Sequence, residues 1–252
     1  MDTLTSLTTV TRSLSKSLSR TATTPTVARE TAYYQAKIAK VTTAAEFVKD
    51  ERLLNYAMKA FGLGDMTYAK GLVKKVLEGG IDSKTSLANT LSGGRYKEFA
   101  AAFNFKANGA ATTSLAAAKT TTVDNYVRQA LEDTSSEVNP AVGLALYFER
   151  KAPTITSAYS ILGDKSLLKV VQTIFDIPAS SSAQPIESQY ALINQKLNVA
   201  DLKDPTKLTR LLQRFAVSYD ASNSSASAPN ILLGGNSIGL NSDLLMSIQK
   251  LR

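Results

Sequence analysis

The stretch Val41–Leu63, VTTAAEFVKDERLLNYAMKAFGL, returns 114 positions later as Ile155–Ile177, ITSAYSILGDKSLLKVVQTIFDI. Aligned without a gap, the two agree at Thr42/Thr156, Ala44/Ala158, Asp50/Asp164, Leu53/Leu167, Leu54/Leu168 and Phe61/Phe175. Most other pairs keep their apolar character, among them Val41/Ile155, Phe47/Ile161, Ala60/Ile174 and Leu63/Ile177. An echo this long means one structural unit used twice. In each copy the apolar residues fall at three- and four-residue spacing, the period of an amphipathic helix. The fold class expected is therefore all-α: a duplicated helical core with amphipathic N- and C-terminal arms.

Helix signals along the chain fill in that frame. Thr43 followed by Glu46 forms a capping box at the start of the first copy, and Gly62 and Gly64 supply its stop. Thr156 opens the second copy and Pro178 stops it. Tyr96, Phe99, Ala100 and Phe103 make an aromatic-bearing helix at core spacing. Residues 106–122, KANGAATTSLAAAKTTT, lack bulky side chains apart from Leu115 and read as a loop or linker. Asn139-Pro140 opens a helix with proline at its tolerated first position. That helix is apolar nearly all round up to Phe148, which marks it as the most buried one. The resulting division is an N-terminal assembly arm (1–32), a first helical repeat (33–110), a linker with central buried helices (111–153), a second repeat (154–220) and a C-terminal arm (221–252).

Composition removes most catalytic chemistry. The chain has no cysteine and no histidine. That excludes disulfides, thiol nucleophiles, Cys/His zinc sites and any triad that depends on imidazole. Asp50 and Asp164, at equivalent places just before Leu-Leu, read as helix caps, since a metal would need several converging carboxylates. The glycine pairs lack the Lys-Ser/Thr of a phosphate loop. No catalytic, cofactor-binding or metal-ligating residue is expected, and the chain is not expected to be an enzyme. The net charge of +8 is dispersed among acidic residues, so nucleic acid is not expected as a partner. No apolar run is long enough for a membrane span, and the first twenty residues lack the apolar core of a signal peptide.

The two ends are the suggestive part. Leu4, Leu7, Leu14 and Leu18 lie on an a/d heptad track with Thr11 at a weak a position. The surrounding Thr, Ser and Arg carry too little bulk for a core, so the arm should be disordered or partly helical until a partner supplies a matching helix. At the other end ASNSSASAP reads as a linker, and Leu240, Leu244, Ile248 and Leu251 share one side of a short terminal helix. These eight residues form the expected assembly interface of a homo-oligomer. The absence of cysteine suits a subunit that is exported unfolded.

The segments LLNYAMKAFGL (53–63), GGRYKEFAAAFNF (93–105) and NPAVGLALYFERKAPTITSAYSILGD (139–164) resemble an alphaproteobacterial family, the domain-of-unknown-function 1217 family. The resemblance covers roughly Tyr33–Tyr219. It implies a helical fold and an association with the bacterial flagellum, and it brings no catalytic residues. The expectation that follows is a structural subunit or accessory component of the flagellum, exported without a classical signal peptide. Its partners would be flagellar structural proteins, copies of itself, or both. The chain lacks an Asn-rich N-terminal signature of the rod and hook type, which favours an accessory, junction or surface component. A cytoplasmic helical adaptor or export chaperone for flagellar proteins is the alternative.

Overall fold

A computed structural model describes residues 2–91 and 94–223, and among them it contains fifteen α-helices and no β-strand. The N-terminal part comprises α1 (Thr3–Arg12), α2 (Leu14–Ala22), α3 (Pro25–Ile38), α4 (Ala44–Lys49), α5 (Glu51–Ala60) and α6 (Lys70–Gly79). Then come α7 (Leu87–Thr90), α8 (Arg95–Ala102), α9 (Phe105–Asn108) and the long α10 (Thr122–Val138). The chain continues through α11 (Pro140–Lys151), α12 (Ala158–Leu162), α13 (Lys165–Phe175), α14 (Ile186–Lys196) and α15 (Pro205–Asn223). Residues 1–220 form one compact unit that contains both copies of the repeat. α15 runs across the expected boundary at 220/221, and the rest of the C-terminal arm, with Leu240, Leu244, Ile248 and Leu251, lies outside the described residues.

The duplication is visible in how the helices pack. In the first copy α3 lies against α5, and α4 touches both α5 and α6. In the second copy α11 lies against α13, and α12 touches both α13 and α14. The repeat thus reaches upstream of the stretch that sequence identity marks, back to α3 and α11. α10 joins the copies, packing on α5 of the first and α11 of the second.

Three pairs of residues 114 positions apart hold corresponding places. Asp50 caps α5 by accepting from the Leu53 N–H at 3.0 Å, and Asp164 caps α13 by accepting from Ser166 at 2.9 Å and Leu167 at 3.2 Å. Each cap also accepts a hydrogen bond from a phenol two helices upstream: Tyr33 of α3 donates to Asp50 at 2.8 Å and Tyr147 of α11 to Asp164 at 2.6 Å. Gly62 (φ +71°) and Asp176 (φ +51°) both end their helices in the left-handed region. There the next N–H closes back on the helix, Leu63 to Met58 O at 2.8 Å and Ile177 to Gln172 O at 2.9 Å, the six-to-one bond of a Schellman stop. The stop of the second copy is therefore Asp176, two residues before the expected Pro178.

Two apolar clusters fill the interior. The first packs Phe47 tilted against Phe103 at 4.7 Å, with Phe61 and Phe99 alongside, and stacks Tyr34 on Tyr56 on Tyr126 at 4.4 and 3.8 Å. The second gathers Leu146, Phe148, Ile161, Val171, Ile174 and Phe215. As expected, α11 is thoroughly buried: from Ala141 to Lys151 no residue is fully exposed. The capping box also forms. Thr43 Oγ1 accepts from the Glu46 N–H at 3.1 Å, and the Glu46 carboxylate reaches back to the Thr42 N–H at 2.9 Å.

Three expectations are overturned. Residues 106–122 are not an open linker: a 3-10 turn over Gly109–Ser114 and a π-helical turn over Ala117–Thr121 lead straight into α10. Small side chains are what permit this close packing. Thr112, Thr113, Ala118 and Thr122 are buried, the Thr113 hydroxyl donates to Val41 O at 2.7 Å, and the Tyr34 phenol donates to Ala118 O. Nor is the N-terminal stretch a free arm. α1 packs on α11 and α2 on α10, while α3 runs across the expected boundary at residue 32. The boundary at 153/154 likewise falls inside the second copy, within a 3-10 turn over Ala152–Thr154.

Candidate functional site

α1 begins with a cap, Asp2, whose carboxylate accepts from the Thr5 N–H at 2.7 Å. Five of its ten residues are threonine, a poor helix former. Several of those hydroxyls bond back to the preceding turn, as Thr8 does to Leu4 O at 2.7 Å and Thr11 to Leu7 O at 2.9 Å. α1 and α2 are separated by one residue, Ser13, at φ −125° and ψ 40°, whose side chain makes no capping bond. The expected heptad track is therefore not one helix but two, folded at an elbow.

The elbow turns the leucines onto the chain's own body. Leu7 is buried in the second cluster, with Leu14 half-buried against it. Leu18 is half-buried where both clusters meet, and Leu4 is half-buried as well. The end of α1 is held by polar groups. Thr3 is completely buried; its N–H donates to Asp220 Oδ2 at 2.9 Å and its hydroxyl to Asp220 Oδ1. Asn139, the cap of α11, uses its Oδ1 on the Ala141 N–H and donates from Nδ2 to Thr3 Oγ1 at 3.0 Å. Thr3, Asn139 and Asp220 thus form a latch joining α1, α11 and α15. The sequence marked Asn139 only as the opening of a helix with Pro140, and nothing near Thr3 or Asp220 marks them as partners.

A cleft of about 550 Å3 lies between the end of α5, the facing sides of α10 and α11, and the start of α13. Its carboxylates are all engaged. Glu132 is nearly sealed from solvent and binds Arg150 at 2.6 Å and Arg128 at 3.3 Å; Arg128 also donates to Glu149 at 2.7 Å and to Leu146 O at 3.1 Å. Asp133 pairs with Lys59 at 2.7 Å, Asp65 lies 3.7 Å from Arg95, and Asp164 is taken up by its cap and by Tyr147. Burial, reinforced by the Asp164 charge, pushes the Tyr147 phenol well above its ordinary range. For Arg150 burial works against the charge, but the Glu132 hydrogen bond and charge outweigh it and hold the guanidinium above its usual value. The groups here are matched as structural pairs, a polar seam tying α10 to α11. Among the described residues no three acidic side chains converge on a point where a metal could sit. No helix of the described residues is long and apolar enough to cross a membrane.

Comparison with known proteins agrees with this architecture. A family model described as a protein of unknown function (DUF1217) matches residues 60–208. A protein of Agrobacterium tumefaciens, solved by X-ray crystallography in a structural genomics programme, is 44% identical with a TM-score of 0.83; the match covers 88% of this chain and 94% of that one. No curated protein matches.

Proposed function

The chain belongs to the DUF1217 family of proteins of unknown function, and on that premise we propose that it is a structural subunit or accessory component of the bacterial flagellum. It works by assembling through its terminal helices, with other flagellar structural proteins or with copies of itself, and performs no catalysis. The observation that carries the assembly reading is the N-terminal pair α1–α2. Its amphipathic leucine track is that of a helix seeking a partner, yet it is folded back and held by the small polar latch of Thr3, Asn139 and Asp220. The flagellar placement is supported by the resemblance of the core to its family. The absence of cysteine suits an exported subunit, and the engagement of the cleft's carboxylates in pairs and caps suits a non-catalytic one.

The test is made in a flagellated bacterium that encodes the chain. An epitope-tagged copy should co-purify with detergent-washed flagella, and its deletion should impair swimming or shorten the organelle. A chain that stays wholly in the cytoplasm, in a small defined complex with a flagellar protein, would replace this reading with the adaptor or export chaperone.

A further inference from the structure

We propose that α1 is an exchangeable element, and that the socket it fills on α11 and α15 is also the docking site for α1 of a second copy of this chain. This inference rests on the assembly reading above and names its joint. Three observations carry it. First, the socket is specific for the start of α1: it buries Thr3 completely and uses both its N–H and its hydroxyl, the latter as donor to Asp220 and acceptor from Asn139. A second copy's α1 presents the same groups and is recognised by the same bonds, the condition for exchange of identical elements.

Second, the connection permits it. A single residue, Ser13, separates the two helices. Third, the sequence from Thr3 to Ala22 holds no proline and no glycine, and its leucines at 4, 7, 14 and 18 line one side of a single straight helix. The local sequence is thus compatible with a continuous helix of roughly 30 Å, whereas the two helices docked on the chain's own body are broken at Ser13. Opening the elbow carries α1 away from its own socket and leaves that socket free for another copy. The cost of opening is recovered when the same latch closes between chains.

The chain has no native cysteine, so paired cysteines report the exchange without background. A full-length chain carrying Ser6→Cys is mixed with one carrying Val138→Cys, two positions that line one surface pocket beside the latch and leave its three residues intact, and treated with a short bis-thiol cross-linker. The expected result is a band at twice the chain mass, rising with concentration. It should be in several-fold excess over a control pair of Ser6→Cys with Glu187→Cys, the latter exposed on α14. Replacing Thr11 and Ser13 by alanine, which favours the straight helix, should raise the linked fraction further. The doubly substituted Ser6→Cys/Val138→Cys chain, when dilute, should link within itself, which shows that α1 still docks. Exchange is overturned if the mixed pair links no more than the control at any concentration. Sedimentation of the native chain then separates the two ideas: assemblies without cross-chain linking remove the exchange and keep the assembly reading, while a monomer without linking removes assembly between copies as well.

Discussion

Gly143 sits where α11 crosses α10, and a side chain there has nowhere to go. A Cβ at this position would lie 1.7 Å from Ser136 Oγ, 2.8 Å from Ser136 Cβ and 2.8 Å from Glu132 O. The Ser136 hydroxyl can turn away at the loss of its 2.9 Å bond to Glu132 O, a cost of about 1 kcal/mol. The other two atoms belong to the α10 framework and move only with the helix. Relaxing 2.8 Å to an ordinary 3.4 Å contact parts the helices by about 0.6 Å, a gap that forfeits a quarter or more of the dispersion energy along the seam. It also stretches the Arg128–Leu146 and Arg150–Glu132 bonds that cross it. Overpacking of this kind, with the lost hydroxyl bond included, costs about 3 kcal/mol, against a gain of about 1 kcal/mol from alanine's helix propensity. Gly143→Ala should therefore destabilise the protein by about 2 kcal/mol, which is about 4–8 °C in a unit of this size. Gly71 in α6 is the control: a Cβ there meets nothing within 4 Å, so Gly71→Ala should stabilise by about 0.5–1 kcal/mol. Denaturant unfolding followed by far-UV circular dichroism measures both. The double variant Ser136→Gly/Gly143→Ala should recover part of the loss as a coupling energy. If Gly143→Ala proves as stable as the native chain, the close crossing of α10 and α11 is wrong.

Three further outcomes follow from the duplicated geometry. Asp176 holds a left-handed conformation that glycine occupies in the first copy, and it places a negative charge at a helix C-terminus; Asp176→Gly should raise stability by about 0.5–1 kcal/mol, and a decrease in melting temperature would contradict the shared stop. Asp164→Ala should cost more than Asp50→Ala in a melting comparison, because Asp164 is buried and caps two N–H groups as well as Tyr147; a lost cap alone costs about 1 kcal/mol. Burial holds the phenols of Tyr34, Tyr56 and Tyr147 above the ordinary value of 10.0. The folded state keeps these protons where the unfolded chain loses them, so their contribution is intact below pH 10 and lost as pH rises beyond it. In an alkaline titration of phenolate absorbance, part of the ten tyrosines should ionise only together with loss of helix; smooth ionisation of all ten in the folded protein would contradict their burial.

The repeat was legible because identical side chains kept identical jobs: Asp50 and Asp164 cap, and Leu53 and Leu167 enter the two cores. Its upstream extent was hidden because α3 and α11 conserve little beyond the tyrosine that meets each cap. The tract at 106–122 misled for a related reason. Small residues signal loops when exposed, but here they let backbone approach backbone, and only the tertiary partners of Thr113 and Ala118 reveal that. The N-terminal leucines stood out as an apolar stripe, while their partner on the chain's own body was invisible because the latch joins residues 217 positions apart. The cleft followed the same rule: Arg128–Glu132 is announced by its four-residue spacing on α10, whereas Arg128–Glu149 and Arg150–Glu132 join α10 to α11 and no spacing along one helix announces them.

The central claim, assembly through the terminal helices, is tested most directly by sedimentation velocity and electron microscopy of the full-length chain at physiological salt. It should be run beside a chain ending at Asn223 and a Leu7→Ala variant. Filaments, rings or discrete oligomers from the full chain, reduced or lost in both variants, are the expected result. A monomer in all three, unchanged with concentration, would contradict it.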